Sequence, residues 1–292
     1  EDAITLEYQE NQKNYEETIA MREAGLKTEV DILSAKASLD LAEVSLLKAQ
    51  NDKQHAASTL KTKINSDLKH LQGISINTKL DLPPINAEIV YQNAMRDNSS
   101  ILLAQNRLQT SRYEVDKSYA AFLPKVDLSV SVSQDLNDDL FEWDNKSVNA
   151  SIKASVGLYN GQADVNTHKQ KSLEYVSSQA NLDNAYYDLS IQLDKSFSDY
   201  ENAKAQIKAT YSAIQSSQAQ MAAIQEKSHS GLATELEVLS AISQVSKAQQ
   251  KFFEASYQMV TTYLELHALT GHISYDTLQA INSLLTIDIS VD

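Results

Sequence analysis

Eleven residues near the start of this chain recur, little changed, near its end. The run Gly25-Leu26-Lys27-Thr28-Glu29-Val30-Asp31-Ile32-Leu33-Ser34-Ala35 returns as Gly231-Leu232-Ala233-Thr234-Glu235-Leu236-Glu237-Val238-Leu239-Ser240-Ala241. Most aligned positions are identical, and the exchanges Val30/Leu236, Asp31/Glu237 and Ile32/Val238 keep size or charge. Each copy opens a long apolar-periodic run, and both runs are read as closing at Leu-x-Gly: Leu71-Gln72-Gly73 and Leu269-Thr270-Gly271. The offset of about 206 residues far exceeds the roughly 20–50 residues of a solenoid repeat. The chain is therefore read as internally duplicated, two large supersecondary units around a pseudo-symmetric axis.

Helix breakers are scarce and clustered. The 6 Gly and 3 Pro fall at Gly25, Gly73, Pro83-Pro84, Pro124, Gly157 with Gly161, Gly231 and Gly271. From Gln162 to Ser230 neither occurs, which at ~1.5 Å rise per residue predicts a rod of roughly 100 Å. Helices of globular proteins rarely exceed about 25 residues, so a rod of this length needs lateral partners. With 42% hydrophobic residues but a mean hydropathy of −0.38, the composition is that of long helices and coiled coils.

The periodicity agrees. After Gly25 the apolar positions run Ile32, Ala35, Leu39, Ala42, Leu46 and Ala49, then through Lys53, Ala56, Leu60, Ile64, Leu68 and Leu71. Steps of three and four alternate, the rhythm of a left-handed coiled coil. The second copy gives Val238, Ala241, Val245, Ala248, Phe252, Ala255, Met259, Thr262, Leu266 and Leu269. A further stripe in the first copy, Val30, Leu33, Ala37, Leu41, Val44 and Leu47, lies on an adjacent face. A helix with two seams touches two neighbours, as a stave does in a barrel wall; the heptads alone also fit an ordinary antiparallel bundle.

One segment changes period. After Pro124, Val126, Leu128, Val130 and Val132 alternate with Asp127, Ser129, Ser131 and Ser133. After an acidic loop (Asp135, Asp138, Asp139, Glu142, Asp144), Val148, Ala150, Ile152, Ala154, Val156 and Leu158 alternate with Asn149, Ser151, Lys153, Ser155 and Tyr159. Period two over about ten residues, twice, is the length and pattern of a membrane β-hairpin with one lipid face and one wet face. Phe141 and Trp143 stand where an aromatic girdle would lie. A half-buried soluble hairpin shares the alternation, but this chain offers it no further sheet.

The remaining composition mostly excludes. A net charge of −14 argues against nucleic acid, whose phosphates require Lys and Arg. With no cysteine there is no disulfide framework and no thiolate site. No run of about 18 apolar residues marks a membrane-spanning helix. The six histidines, His55, His70, His168, His229, His267 and His272, form no ligand motif and read as surface residues. No phosphate loop, nucleophile elbow or acid/base pair is visible, so neither enzyme chemistry nor a metal or other cofactor is expected.

The order helix, Leu123-Pro124, strand, loop, strand ending Val156-Gly157-Leu158-Tyr159-Asn160-Gly161, very long helix, Gly-Leu-x-Thr tip and helix ending Ala268-Leu269-Thr270-Gly271 resembles the TolC-like outer-membrane channels of tripartite efflux and type I secretion. The resemblance covers essentially the whole chain. It implies a mainly α protein with long antiparallel coiled-coil helices forming an α-barrel, and a β-hairpin contributing to a trimeric transmembrane β-barrel. It further implies a homotrimer in the outer membrane, contacting lipid and extending into the periplasm, with a periplasmic adaptor and an inner-membrane transporter as partners. The family has two strand pairs and this chain one; since Ala87 opens the second half, the first helix, first hairpin and part of the next helix are expected upstream of Glu1. A second departure is Asn98-Ser99, where family members often carry Asn-Pro.

The expected division is 1–86 as the remainder of the first repeat and 87–292 as the second. The second comprises helix 87–122, strands 125–134 and 148–158, helices 162–229 and 232–270, and a C-terminal segment 272–292. By resemblance the turns at Gly25, Leu26, Lys27 and Thr28 and at Gly231, Leu232, Ala233 and Thr234 are adaptor-docking tips; as plain sequence they are αα-turns. The family's acidic constriction maps to Glu237 and Ser240, with Asp31 and Ser34 as first-half equivalents, and the second acid is not kept. Glu235 reads as a solvated charge. A soluble coiled-coil scaffold or adhesin stalk explains the heptads but not the hairpin.

Overall fold

The computed structural model describes residues 1–66, 69–78, 80–135, 145–271 and 273–290. Leu68, the loop residues Asp138, Asp139, Phe141, Glu142, Trp143 and Asp144, and His272, all singled out above, lie outside the described residues. In chain order the elements are α1 (Asp2–Glu23), α2 (Glu29–Ile64), β1 (His70–Gly73), α3 (Ala87–Asp97), α4 (Ser99–Tyr119), β2 (Lys125–Asp135), β3 (Asn145–Ser155), α5 (Ala163–His229), α6 (Glu235–Leu269), α7 (Tyr275–Asn282) and β4 (Ile287–Ser290). They divide into two compact units, Glu1–Asn93 with Gln192–Asp292, and Ala94–Ile191.

In the first unit α6 is the core helix. Val238, Ala241, Val245, Phe252, Ala255, Met259, Thr262 and Leu266 are all buried, with Ala248 and Leu269 half-buried, so the heptad seam is the packed stripe. The unit's share of α5 answers with Leu193, Ser196, Tyr200, Ala203 and Ile214. Ring pairs Tyr200–Tyr263 and Tyr211–Phe252, with centroids 6.1 and 6.3 Å apart, join the two helices. Helix α1 packs on α2 and α6, yet its buried residues are Ala3, Asn11, Asn14 and Thr18. A mostly polar stripe at heptad spacing is easily missed when only apolar periodicity is counted.

The two stripes of α2 have different fates. Ala35 and Ala42 are buried, and Ile32, Leu39, Leu46 and Ala49 half-buried. The second stripe is open: Val30, Leu33, Leu41, Val44 and Leu47 are 53–70% exposed.

The first apolar run does not close at Leu71-Gln72-Gly73. Helix α2 ends at Ile64, with Asn65 in the left-handed region (φ 49) as its C-cap, a conformation asparagine tolerates better than most residues. Leu71–Gly73 belongs instead to β1, which pairs antiparallel with β4 in the register Leu71↔Ile289 and Gly73↔Ile287. The partner lies more than two hundred residues away by sequence, beyond the reach of any local pattern.

The expected helix 87–122 is interrupted within the second unit, which begins at Ala94. Asn98 (φ −62, ψ 129) caps α4 by accepting from the N–H groups of Ser100 and Ile101, at 2.9 and 3.4 Å. A short 3₁₀ turn, Ala120–Phe122, then ends the segment before Pro124. Contacts Gln105–Tyr186, Ser111–Ser178 and Ser118–His168 run in opposite sequence directions, so α4 lies antiparallel to the unit's share of α5. His168 is half-buried there, against Tyr119 and Phe122 at 6.3 Å, rather than a free surface residue.

Strands β2 and β3 pair antiparallel from Lys125↔Ser155 to Asp135↔Asn145. Leu128↔Ile152, Val130↔Ala150 and Val132↔Val148 fall on one face; Asp127↔Lys153, Ser129↔Ser151 and Ser133↔Ser147 fall on the other. The serine pairs hydrogen-bond across the strands at 2.7 Å. The second strand spans 145–155 rather than 148–158: pairing continues as far as Asp135 at one end, and at the other the chain leaves the ladder before Gly157. Val156 and Leu158 therefore fall beyond it.

Phe252 is 2% exposed and packs its ring against Tyr211 and Phe253. Phe252→Ala is expected to cost about 3–5 kcal/mol in urea unfolding of the 292-residue chain, from lost burial and the cavity left behind. Val44→Ala, on the open stripe, should change stability by less than ~0.5 kcal/mol in the same measurement.

Candidate functional site at the helical tips

The two repeated runs build two turns of the same geometry. After α1, Gly25 takes φ 79; its N–H donates to Arg22 O at 2.9 Å, and the N–H of Leu26 donates to Met21 O at 2.9 Å. After α5, Gly231 takes φ 70; its N–H donates to Ser228 O, and that of Leu232 to Lys227 O, both at 2.8 Å. These are Schellman caps, which satisfy the last helical carbonyls and need a left-handed residue. No atom crowds a Cβ at Gly25, so there conformation, not space, calls for glycine. At Gly231 a Cβ would meet Leu26 Cδ2 at 3.9 Å, so the two tips lie against each other.

The returning helices start alike. The N–H of Thr28 donates to Asp31 Oδ2 at 2.7 Å, and that of Asp31 to Thr28 Oγ1 at 3.3 Å. Thr234 and Glu237 repeat the exchange at 2.8 and 3.3 Å. Both are capping boxes, which satisfy orphan donors in the first turn. The backbone N–H and then the hydroxyl of Thr28 hold the Asp31 carboxyl below its usual pKa, and Thr234 does the same for Glu237. Because the folded pKa is depressed, this contribution to stability is present above the unfolded carboxylate pKa and is lost as pH falls through the folded one.

Asp31 and Glu237 thus occupy corresponding places in the first turns of α2 and α6, and Ser34 and Ser240 corresponding places one turn on. Asp31 is half-buried and the other three are exposed. The Ser34 hydroxyl donates to Val30 O at 2.9 Å, and Ser240 Oγ accepts from Gln244 Nε2 at 3.4 Å. Around them Leu26, Val30 and Leu33 on the first tip, and Leu232 and Leu236 on the second, are 54–79% exposed. Thr28, Thr234 and the half-buried Ala233 complete the turns.

Glu235 is the misread residue. It is not solvated: it is 3% exposed, with its Oε2 3.2 Å from Lys27 Nζ. Asn14 Nδ2 donates to Oε1, and Thr18 Oγ1, whose one proton is shared between Asn14 O at 2.8 Å and the carboxylate, lies 3.2 Å from Oε2. Lys27 Nζ also reaches Ala233 O at 3.5 Å. Its counterpart in the first copy, Glu29, does behave as a surface charge, pairing with Arg22 at 2.9 Å. Sequence offered one signal: Lys27 faces Ala233 in the alignment, and a cation gained by one copy alone asks for a counter-ion.

Two histidines also depart from the surface reading. His168 is described above; His267 packs against Tyr263 with ring centroids 4.7 Å apart and planes tilted by 56°, and burial lowers its pKa. Among the described residues no cluster of three or more His, Asp or Glu could hold a metal.

Residues 90–272 match the family described as outer membrane efflux protein. Among curated relatives, the proteases secretion protein PrtF of Dickeya chrysanthemi is 24% identical, over 89% of this chain and 58% of its own length. The outer membrane protein TolC of Escherichia coli is 22% identical, over 96% of this chain and 59% of its own. The crystal structure of the outer membrane protein VceC from Vibrio cholerae superposes with a TM-score of 0.76 at 19% identity, covering 92% of this chain and 65% of that one. The chain therefore spans somewhat more than half the length of the curated relatives it matches.

Removing one partner of a buried pair strands the other, at about 3–5 kcal/mol. Glu235→Ala should cost that much in equilibrium unfolding. Glu29→Ala, on the exposed pair with Arg22, should cost less than ~1 kcal/mol.

Proposed function

The chain belongs to the outer membrane efflux protein family, and from that premise we propose that it is part of a trimeric export channel of the outer membrane. The channel crosses the lipid as a β-barrel and continues into the periplasm as an α-barrel. The observation that carries this reading is the β2–β3 hairpin: Val126, Leu128, Val130, Val132, Val148 and Ile152 line one face and are 65–75% exposed. An apolar face of that extent is unfavourable in water and suited to lipid, while the serine face suits an aqueous lumen. The open stripe of α2 supports the trimer, since a stave with a free seam has a place for a neighbouring copy. A soluble scaffold or adhesin stalk leaves the hairpin's apolar face without a purpose.

In this reading the channel supplies no energy and makes no bond. An inner-membrane transporter drives export, and a periplasmic adaptor meets the tips at Leu26, Lys27 and Leu232, presented by the turns Gly25–Thr28 and Gly231–Thr234. The family's description is efflux and the name of PrtF is protease secretion; together they support a conduit, not one cargo. The acidic surface suits neither nucleic acid nor an anionic passenger held by charge.

Glu237 from three protomers, with Asp31 near the same level, would form the constriction; Ser240 and Ser34 follow one turn on. A ring of like charges repels itself and attracts cations.

Assembly tests the barrel: Val130→Arg or Ile152→Arg in the full-length protein should cost roughly 2–4 kcal/mol at mid-membrane and deplete detergent-extracted trimer on gels. Ser131→Arg, on the wet face, should leave trimer yield near the parent's. Equal loss from both faces would remove the membrane reading.

Glu237→Gln tests the ring separately from the cap, because its amide oxygen still accepts from Thr234. Single-channel recordings should show weaker divalent block and lower cation preference. Unchanged block and selectivity would place the constriction elsewhere.

A further inference from the structure

The buried ion pair at the tips is the one place where the two repeated runs use different chemistry. Lys27 and Glu235 have side chains only 5% and 4% exposed, whereas most charged side chains stay in water. The carboxylate is held on both oxygens, by Asn14 and by Thr18 together with Lys27. Four residues from α1, the first tip and α6 thus meet at one point, and Leu26 lies over the turn at Gly231 beside it.

The pairing is directional. Its counterpart under the repeat would be Ala233 with Glu29, which can form no ion pair, and Glu29 instead binds Arg22 of its own hairpin. A fully satisfied buried pair adds little stability over an apolar one of the same volume; what it can add is register, because any slip leaves a buried charge unmatched. Apolar heptads with alanine at alternate layers do not distinguish one register from the next as sharply.

We propose that Lys27 is a positioning residue that locks the two hairpin tips together, so that Leu26, Leu232 and Leu236 are presented to a docking partner as one composite apolar surface. The docking part rests on the reading above; the lock does not. Around this surface the first-turn carboxylates of Asp31 and Glu237 are held ionised by their capping bonds. A complementary partner would offer apolar side chains ringed by Lys or Arg.

These 292 residues contain no cysteine, so paired spin labels are placed at Ala20→Cys and Ala222→Cys, exposed positions on α1 and α5, with any cysteine elsewhere in the full-length protein replaced by serine. In the full-length detergent-extracted protein, the parent should give one narrow intraprotomer distance. Lys27→Met/Glu235→Gln removes both charges and should fold and assemble as the parent does, yet broaden or split that distance. Lys27→Arg, which keeps the charge and can still reach Glu235, should keep it narrow. A narrow, unshifted distance in the double variant would overturn the lock. Leu232→Asp leaves the ion pair intact and tests docking alone, by capture of the purified periplasmic adaptor encoded in the same genome. If capture survives Leu232→Asp, the docking reading fails while the distance result still decides the lock; if capture is lost, the lock's role in presentation is upheld when the double variant also weakens capture at least tenfold, and overturned when it does not.

Discussion

Long helices cannot stabilise themselves. Nucleation is costly and propensity adds only tenths of a kcal/mol per residue, so most helical stability in proteins comes from burying a stripe against something else. This constraint governs the chain. Helix α6 meets it internally, with a nearly unbroken buried seam from Val238 to Leu266. Helix α2 meets it on one side only, and Val30 to Leu47 remain open. The same imbalance appears in the hairpin, where two strands pair along their whole length yet keep an apolar face that no element among the described residues covers. Two strands alone are marginal in water. Both surpluses call for surroundings beyond this chain, and the proposed lipid-embedded trimer would supply a neighbour for one and a solvent for the other.

Where α1 meets α6 the logic changes from apolar packing to matched polar groups. Ser246 Oγ donates to Glu7 Oε2 at 2.6 Å and contacts Ala3 O at 3.3 Å; toward the tip, Asn14 and Thr18 enclose Glu235. Each buried polar group has a desolvation cost that only a well-placed partner offsets. Such a seam tolerates fewer alternative registers than alanine and leucine do. Stiff apolar contacts along α5 and α6 and register-defining polar contacts toward the tip are thus complementary parts of one hairpin pair.

How much of this could be read from residues depended on whether the cause was local. The α6 seam, the strand alternation and the glycine turns are written in nearest-neighbour chemistry: three-four spacing, period two, and a left-handed residue between capped helices. Glu235 was misread because its partners, Asn14, Thr18 and Lys27, lie more than two hundred residues upstream, and the repeat made it look equivalent to Glu29. The β1–β4 pair was missed for the same reason. Asn98 is a different case: its capping side chain was available to inspection, yet 87–122 is read from sequence as one helix. The tips were located by repetition; what each tip residue contacts was not.

The capping boxes connect local folding to the proposed constriction. A carboxylate that accepts the N–H and hydroxyl of the threonine three residues before it sits at a helix N-terminus, where the aligned peptide dipoles favour negative charge. Asp31 and Glu237 are held ionised by those contacts. Crowding three such groups about an axis would by itself push a proton onto one of them. The capping bonds oppose that tendency, so a ring built on N3 carboxylates keeps its charge where a ring of unsupported side chains would lose part of it. Serine at Ser240, in place of a second acid, would further lighten the repulsion one turn deeper in such a ring. The same two hydrogen bonds that start α6 would then also set the charge of the pore, and the choice of acid or amide at the third helical position would set that charge without altering the turn.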